Sequence, residues 1–207
     1  MIREYKNIYG NKITEKQATQ INQYNVLLFD EITNTVKEEH HIIDNTITRI
    51  EYYKVDSENE NEVYNYLKNK TNSFVICNKE FVSNFIIITY KQYAIEPNST
   101  FLLSYKSVFK NDASEYPICT QSLDSNTLQP IHEKTKKYWY ITDENGVKEV
   151  GVEFFYKNDG NLDYAIDMTP DFSNHKNWDK YTLANFQDLQ DLFTINIDYY
   201  KNSNLLP

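Results

Sequence analysis

At 207 residues the chain is long enough to bury a sizeable core and short enough to do so as one domain, 1–207. Lys plus Arg number 21 against 30 Asp plus Glu, a formal net charge of −9, so the mean field repels nucleic-acid phosphates and anionic lipid and suits a basic partner. Aromatic residues at 15%, within a hydrophobic content of 40%, exclude a disordered chain and fit half-buried pleated surfaces.

The N-terminus, MIREYKNIYGNK, is polar from its first residues and carries no apolar segment of the secretory kind. The longest apolar run, Phe85 to Ile88, is far too short to span a bilayer, so a cytoplasmic location is expected, with neither nucleic acid nor membrane as partner. Cys77 and Cys119 match neither a CxxC pair nor a zinc ligand set and read as reduced thiols.

In chain order, Thr14 followed by Glu15, Lys16, Gln17 and Ala18 predicts a capped short helix ending near Gln23, with Gln17 completing the capping box. Asn25 to Asp30, Thr35 to Ile42 and Thr46 to Tyr53 read as an antiparallel meander, turning at Thr33-Asn34 and Asp44-Asn45. Ser57-Glu58-Asn59-Glu60 has the form of a second capping box, and Val63, Tyr66 and Leu67 follow at helical spacing, placing a helix at 58–69. Phe74 to Cys77, Phe81 to Tyr90 and Thr100 to Phe109 are further strands, the middle one apolar enough to be central. From Lys110 to Glu133 no period is visible, which suggests a long surface loop or an irregular edge. Thr182 is placed to cap a helix Leu183 to Phe193, with an apolar stripe of Leu183, Phe186, Leu189 and Phe193.

The most legible stretch is Lys136 to Met168. Asn145-Gly146 suits a two-residue hairpin turn and Asn158-Asp159-Gly160 a three-residue one, so three antiparallel strands are expected. The first turn would pair Ile141 with Val150 and Trp139 with Val152; the second would pair Tyr156 with Leu162 and Phe154 with Tyr164. Trp139, Ile141, Val150, Val152, Phe154, Tyr156, Leu162, Tyr164, Ile166 and Met168 then share the core face. The outer face would carry Tyr138, Tyr140, Glu149, Glu153, Phe155, Asp163 and Asp167, a mixture of rings and carboxylates that is the candidate partner-binding surface.

Catalytic signatures are scarce. His40, His41, His132 and His175 belong to no HExxH or Cys/His zinc spacing, and adjacent His40 and His41 on a strand point to opposite faces. Asp159-Gly160-Asn161-Leu162-Asp163 imitates the start of a calcium loop, but Tyr164 and Pro170 stand where that loop needs Gly and Glu. No GxGxxG, P-loop or GxSxG is present, and no cofactor or metal is expected.

Together these readings predict an α+β fold: a mainly antiparallel twisted sheet built from hairpins, with two or three short helices packed on it. The hairpin segments FDEITNTVKEEHHIIDNTITRIEYYK and ITDENGVKEVGVEFFYKNDGNLDYAIDM, which share VKE at Val36 to Glu38 and Val147 to Glu149, resemble the degenerate hairpin repeats of some bacterial polymorphic-toxin neighbourhoods. Over about half of the chain, this acidic and motif-poor pattern is similar to immunity proteins. The resemblance implies a non-enzymatic inhibitor that occludes the basic site of a cognate toxin or nuclease through an acidic-aromatic surface. Two other classes compete with it: a small hydrolase-like enzyme with a dispersed site drawn from His132, Glu133 and His175, and a structural or assembly subunit.

Overall fold

The computed structural model describes residues 1–97, 99–112, 116–142, 146–169, 180–182, 185, 187–188 and 197–207. Thirteen strands are present among them: β1 Ile2–Asn7, β2 Lys12–Ile13, β3 Gln23–Phe29, β4 Val36–Ile43, β5 Thr46–Lys54, β6 Ser73–Val82, β7 Phe85–Glu96, β8 Ser99–Lys110, β9 Pro117–Leu123, β10 Pro130–Thr142, β11 Lys148–Tyr156, β12 Leu162–Asp167 and β13 Lys180–Thr182. The α-helices whose bounds lie among the described residues are α1 Glu15–Ala18 and α2 Glu60–Lys68; Gln187 and Asp188 are also helical, and a 3-10 turn covers Ile197–Tyr200.

This overturns the α+β expectation. The chain is mostly β, and its strands form one large mixed sheet in the order β13-β12-β11-β10-β9-β8-β7-β6-β5-β4-β3-β1-β2. It is mixed because β6 runs parallel to β5, with Ile50 opposite Phe74 and Tyr52 opposite Ile76. A parallel return needs a crossover, and α2 lies in the connection that supplies it. The helices that can be compared are shorter than the sequence suggested: α1 has four residues and stops at Ala18, well before Gln23, and α2 covers Glu60–Lys68. The predicted helix at Leu183 to Phe193 falls largely outside the described residues, and Thr182 ends β13.

Two compact units divide the chain, Met1–Glu80 with Ile88–Ser104, and Phe81–Ile87 with Tyr105–Pro207. In the first, the meander of β3, β4 and β5 forms as predicted, and Asn34, Asp44 and Asn45 take positive φ of 52°, 48° and 61°, the left-handed geometry that tight turns demand and Asn and Asp tolerate. The polar N-terminus adds β1 and β2, which no apolar alternation announced. The cap of α2 is Asn59, whose side chain accepts from the Asn61 amide, and not Ser57. Val63 and Leu67 enter a core with Ile50, Tyr52, Phe74 and Ile76, closed by Tyr64 and Tyr93. Phe74 stacks on Tyr93 at 4.9 Å, and Tyr64 meets both rings edge-on at 5.5 and 5.1 Å.

The apolar run Phe81 to Tyr90 is interrupted. Ser83, at φ 52°, turns the chain just after β6, in which Phe81 has 65% of its surface exposed, and β7 begins at Phe85. The β7 strand does stand seventh of the thirteen, at the middle of the order. In the second unit, the stretch read as a loop or irregular edge holds β9, an inner strand whose Cys119, Gln121 and Leu123 alternate inward. Its alternation was hidden because one inward position is an amide: Gln121 donates to Thr135 Oγ1 at 3.1 Å and to the Ser203 carbonyl at 3.0 Å.

The late three-stranded ribbon forms, but with two β-bulges that correct its faces. Trp139 pairs with Val152 as expected; beyond it Tyr140 pairs with Val150 and Ile141 with Glu149, leaving Gly151 as the extra residue. A Cβ at Gly151 would stand 2.8 Å from Ile141 Cγ2 and 2.9 Å from the Trp139 ring, so only glycine fits. Tyr156 pairs with Leu162 as expected, whereas Phe155, not Phe154, faces Tyr164, with Asp163 between the two registers. The buried face is therefore Val152, Phe154, Tyr156, Leu162 and Ala165, with Trp139 packed alongside. Tyr164 and Ile166 move to the other face, because one extra residue reverses strand parity.

Candidate functional site

A cleft in the first unit collects several ionisable side chains. On β4, Glu38, His40 and Ile42 project to one face and Glu39 and His41 to the other, as strand alternation requires. Glu38 is 1% exposed, and its burial is possible because three groups meet it. Tyr66 on α2 donates to Oε1 at 2.6 Å; His40 Nε2 and Lys70 Nζ lie 2.6 and 3.3 Å from Oε2, and Lys70 also contacts the Tyr66 hydroxyl. Burial by itself would raise the Glu38 carboxyl, but the hydrogen bonds from His40 and Tyr66 and the Lys70 charge outweigh it and hold the group down to about 2.

Cross-strand from Glu38 stands Tyr52, and the loop before α2 brings Glu58 to it. Glu58 accepts from the Tyr52 hydroxyl at 2.7 Å, from Lys37 Nζ at 2.6 Å and from the Val55 amide at 2.9 Å, and the Lys37 ammonium also sits 4.6 Å over the Tyr52 ring. Burial works against Glu58 ionisation, yet these three donors keep its carboxyl below the usual range. Burial, reinforced by the bond to Glu58, drives the Tyr52 phenol far up; burial and Glu38 raise Tyr66 as well. The Glu38 and Glu58 carboxylates therefore stay ionised and the Tyr52 and Tyr66 phenols stay protonated across neutral pH.

The cleft holds about 710 Å³ and is lined by Asp30, Glu38, Glu58 and Glu62, by the Tyr52 and Tyr66 rings, and by Lys37. Four carboxylates thus line a concavity of ligand-binding size together with Lys37 and Met1, and Lys70 is paired with Glu38. Sequence reading missed this site because its members come from β4, β5 and α2, and only the Glu58 neighbourhood carried a local signal, which belonged to the cap of α2.

The sequence-predicted surface on the late ribbon is brought together only in part. Tyr138, Tyr140, Glu153 and Phe155 share a face: Tyr138 is paired with Glu153, its hydroxyl is 3.0 Å from Thr120 Oγ1, and the Tyr140 hydroxyl donates to the Pro117 carbonyl at 2.9 Å. Glu149 pairs with Ile141 on the Trp139 side. Asp163 is exposed at the second bulge, and Asp167 is 3% exposed opposite Val152, accepting from Thr169. Lysines interleave with the shared face. Lys136 pairs with Glu153 at 2.8 Å and lies 5.1 Å from the Phe155 ring, Lys180 stands 3.7 Å over Tyr164, and Lys148 lies 5.4 Å from Tyr140. Phe155 and Tyr164 stack at 4.6 Å beneath two of those lysines, so this face is an aromatic ladder covered by lysine stems.

Of the dispersed catalytic candidates, His132 Nδ1 lies 2.7 Å from Ser203 Oγ, but Ser203 is 3% exposed and sits against Gly160. Glu133 is exposed, and His175 lies outside the described residues. Among the described residues no three His, Cys, Asp or Glu side chains converge as metal ligands. No helix among them is long and apolar enough to cross a membrane. No family model, curated protein or solved structure matches this chain.

Proposed function

We propose that this protein is a non-enzymatic, protein-binding inhibitor of the immunity-protein kind, which engages basic side chains of a toxin or nuclease through the acidic-aromatic cleft between β4, β5 and α2. One observation carries the reading: the cleft presents Asp30, Glu38, Glu58 and Glu62 beside the Tyr52 and Tyr66 rings, with the carboxyls of Asp30, Glu38 and Glu58 all below their ordinary values. General acid-base catalysis needs a group that gains and loses a proton near the working pH. Charges locked in one state suit steering and recognition instead. Lys37, held by Glu58 and lying over Tyr52, shows what the walls accept: an ammonium between a carboxylate and an aromatic face.

Co-expression with the toxin-like product of an adjoining reading frame is the direct test. Parent protein should restore growth and co-purify with that product, and Glu58→Gln with Glu62→Gln should weaken the complex at least tenfold and flatten its salt dependence. The reading fails if the double variant binds and protects as the parent does.

A further inference from the structure

The C-terminal segment of the second unit lies over a buried lysine that has no carboxylate to meet it. Lys137 on β10 is fully buried, and no ion pair reaches it among the described residues. Its ammonium donates to the Tyr199 carbonyl and stands 3.5 Å from the centre of the Tyr199 ring. An ammonium has three protons to donate, and burying it with one carbonyl and an aromatic face leaves much of its desolvation uncompensated. Nearby, the buried Tyr156 hydroxyl has no hydrogen-bond partner among the described residues, and its ring lies 5.7 Å from the same ammonium. This contact therefore carries a polar deficit.

Other attachments of residues 197–206 are seen among the described residues. Tyr200 stacks on Phe154 at 4.1 Å; Leu205 and Leu206 pack against Ile87, Val108 and Cys119. The backbone is tied by Leu162 donating to the Lys201 carbonyl and Ser203 donating to the Gly160 carbonyl, and by Gln121 and His132 at Ser203. We propose that residues 197–206 form a strap that docks on and lifts from the second unit, and that protonation of Lys137 sets the balance between the two states.

The direction follows from linkage. Burial pushes the Lys137 ammonium down to about 8, whereas a solvated lysine keeps its ordinary value near 10.5. The docked state thus binds its proton less tightly than the lifted state, so raising the pH from about 8 toward 10.5 tightens docking and lowering it toward 8 loosens it. The titratable groups facing Lys137 are Cys119 on β9, Tyr156 on β11 and Tyr199 in the 3-10 turn, with Tyr200 adjoining. Burial raises them all, Cys119 from 9.0 to about 11, Tyr200 from 10.0 to about 12 and the other two further, so their ionisation favours the lifted state above about pH 9 and opposes Lys137 there; below that pH Lys137 acts without them. His132 also meets the strap, at Ser203.

Cys119 supplies the readout, because Tyr199, Leu205 and Leu206 cover it, while Cys77 lies buried in the first unit. Iodoacetamide labelling of the full chain, resolved by peptide mass spectrometry and divided by the rate in denaturant at each pH, gives the fraction opened at each thiol. For Cys119 that fraction should fall about threefold from pH 7 to pH 8.5, below the range in which the thiol and the phenols oppose it, given a Lys137 value of about 8 when docked. Lys137→Met should abolish the trend and lower opening at pH 7; amide exchange across 197–206 in the parent gives the same answer if that variant does not fold. Opening of Cys119 that is independent of pH, or that tracks Cys77 at every pH, overturns the proposal.

Discussion

The Tyr66 hydroxyl donates to Glu38 Oε1 at 2.6 Å, tying α2 to β4 through a carboxylate that is 1% exposed. A buried charge of this kind is tolerated only while its donors remain, so the bond links the packing of the helix to the charge of the cleft.

Tyr66→Phe removes the phenolic donor and keeps the ring. Because His40 and Lys70 still meet Glu38, we expect a loss of about 1–2 kcal/mol in urea unfolding rather than collapse. The Glu38 carboxyl should also rise from its value of about 2, which a carbon-13 NMR titration of the side chain would follow.

Acid should expose the same linkage. Glu38 is depressed in the folded state from 4.5 to about 2, so its stabilising contribution is complete above pH 4.5 and is lost as the pH falls through that window toward 2. The contribution is on the order of 3 kcal/mol. Between pH 5 and pH 2.5 the stability of Glu38→Gln should decline less steeply than that of the parent; parallel curves would deny Glu38 this role.

Gly151→Ala places a methyl group 2.8 Å from Ile141 Cγ2 and 2.9 Å from the Trp139 ring. Overpacking at the bulge should cost about 1–3 kcal/mol. Combining it with Ile141→Ala, which removes the clashing Cγ2, should cost less in thermal unfolding than the sum of the two single changes.

Leu67→Ala empties a fully buried position between α2 and the strands beneath it, at a cost of about 2–5 kcal/mol. By contrast, the Lys136–Glu153 pair at 2.8 Å is partly solvated, and a double-mutant cycle should return a coupling below about 1 kcal/mol. Similar values for the two would contradict the difference in burial between these sites.

The sequence by itself determined the local features whose signals are complete within a few residues. Thr14 and Gln17 specify their capping box, Asp44-Asn45 its left-handed turn, and the ring-rich runs the meander β3 to β5. Gly151, inside an otherwise continuous strand, also marked a bulge, the signal that would have corrected the ribbon's faces. Only the tertiary structure decided the rest. Gln121 and Thr135 occupy inward positions where periodicity expects apolar residues, because each meets the other and Gln121 reaches the distant Ser203 carbonyl. The cleft likewise depends on Glu38 meeting Tyr66 across 28 residues and on the parallel return of β6, relationships that no local pattern encodes. Propensity and periodicity report what a segment prefers alone, whereas a buried polar group is stable only once the fold has delivered its partner.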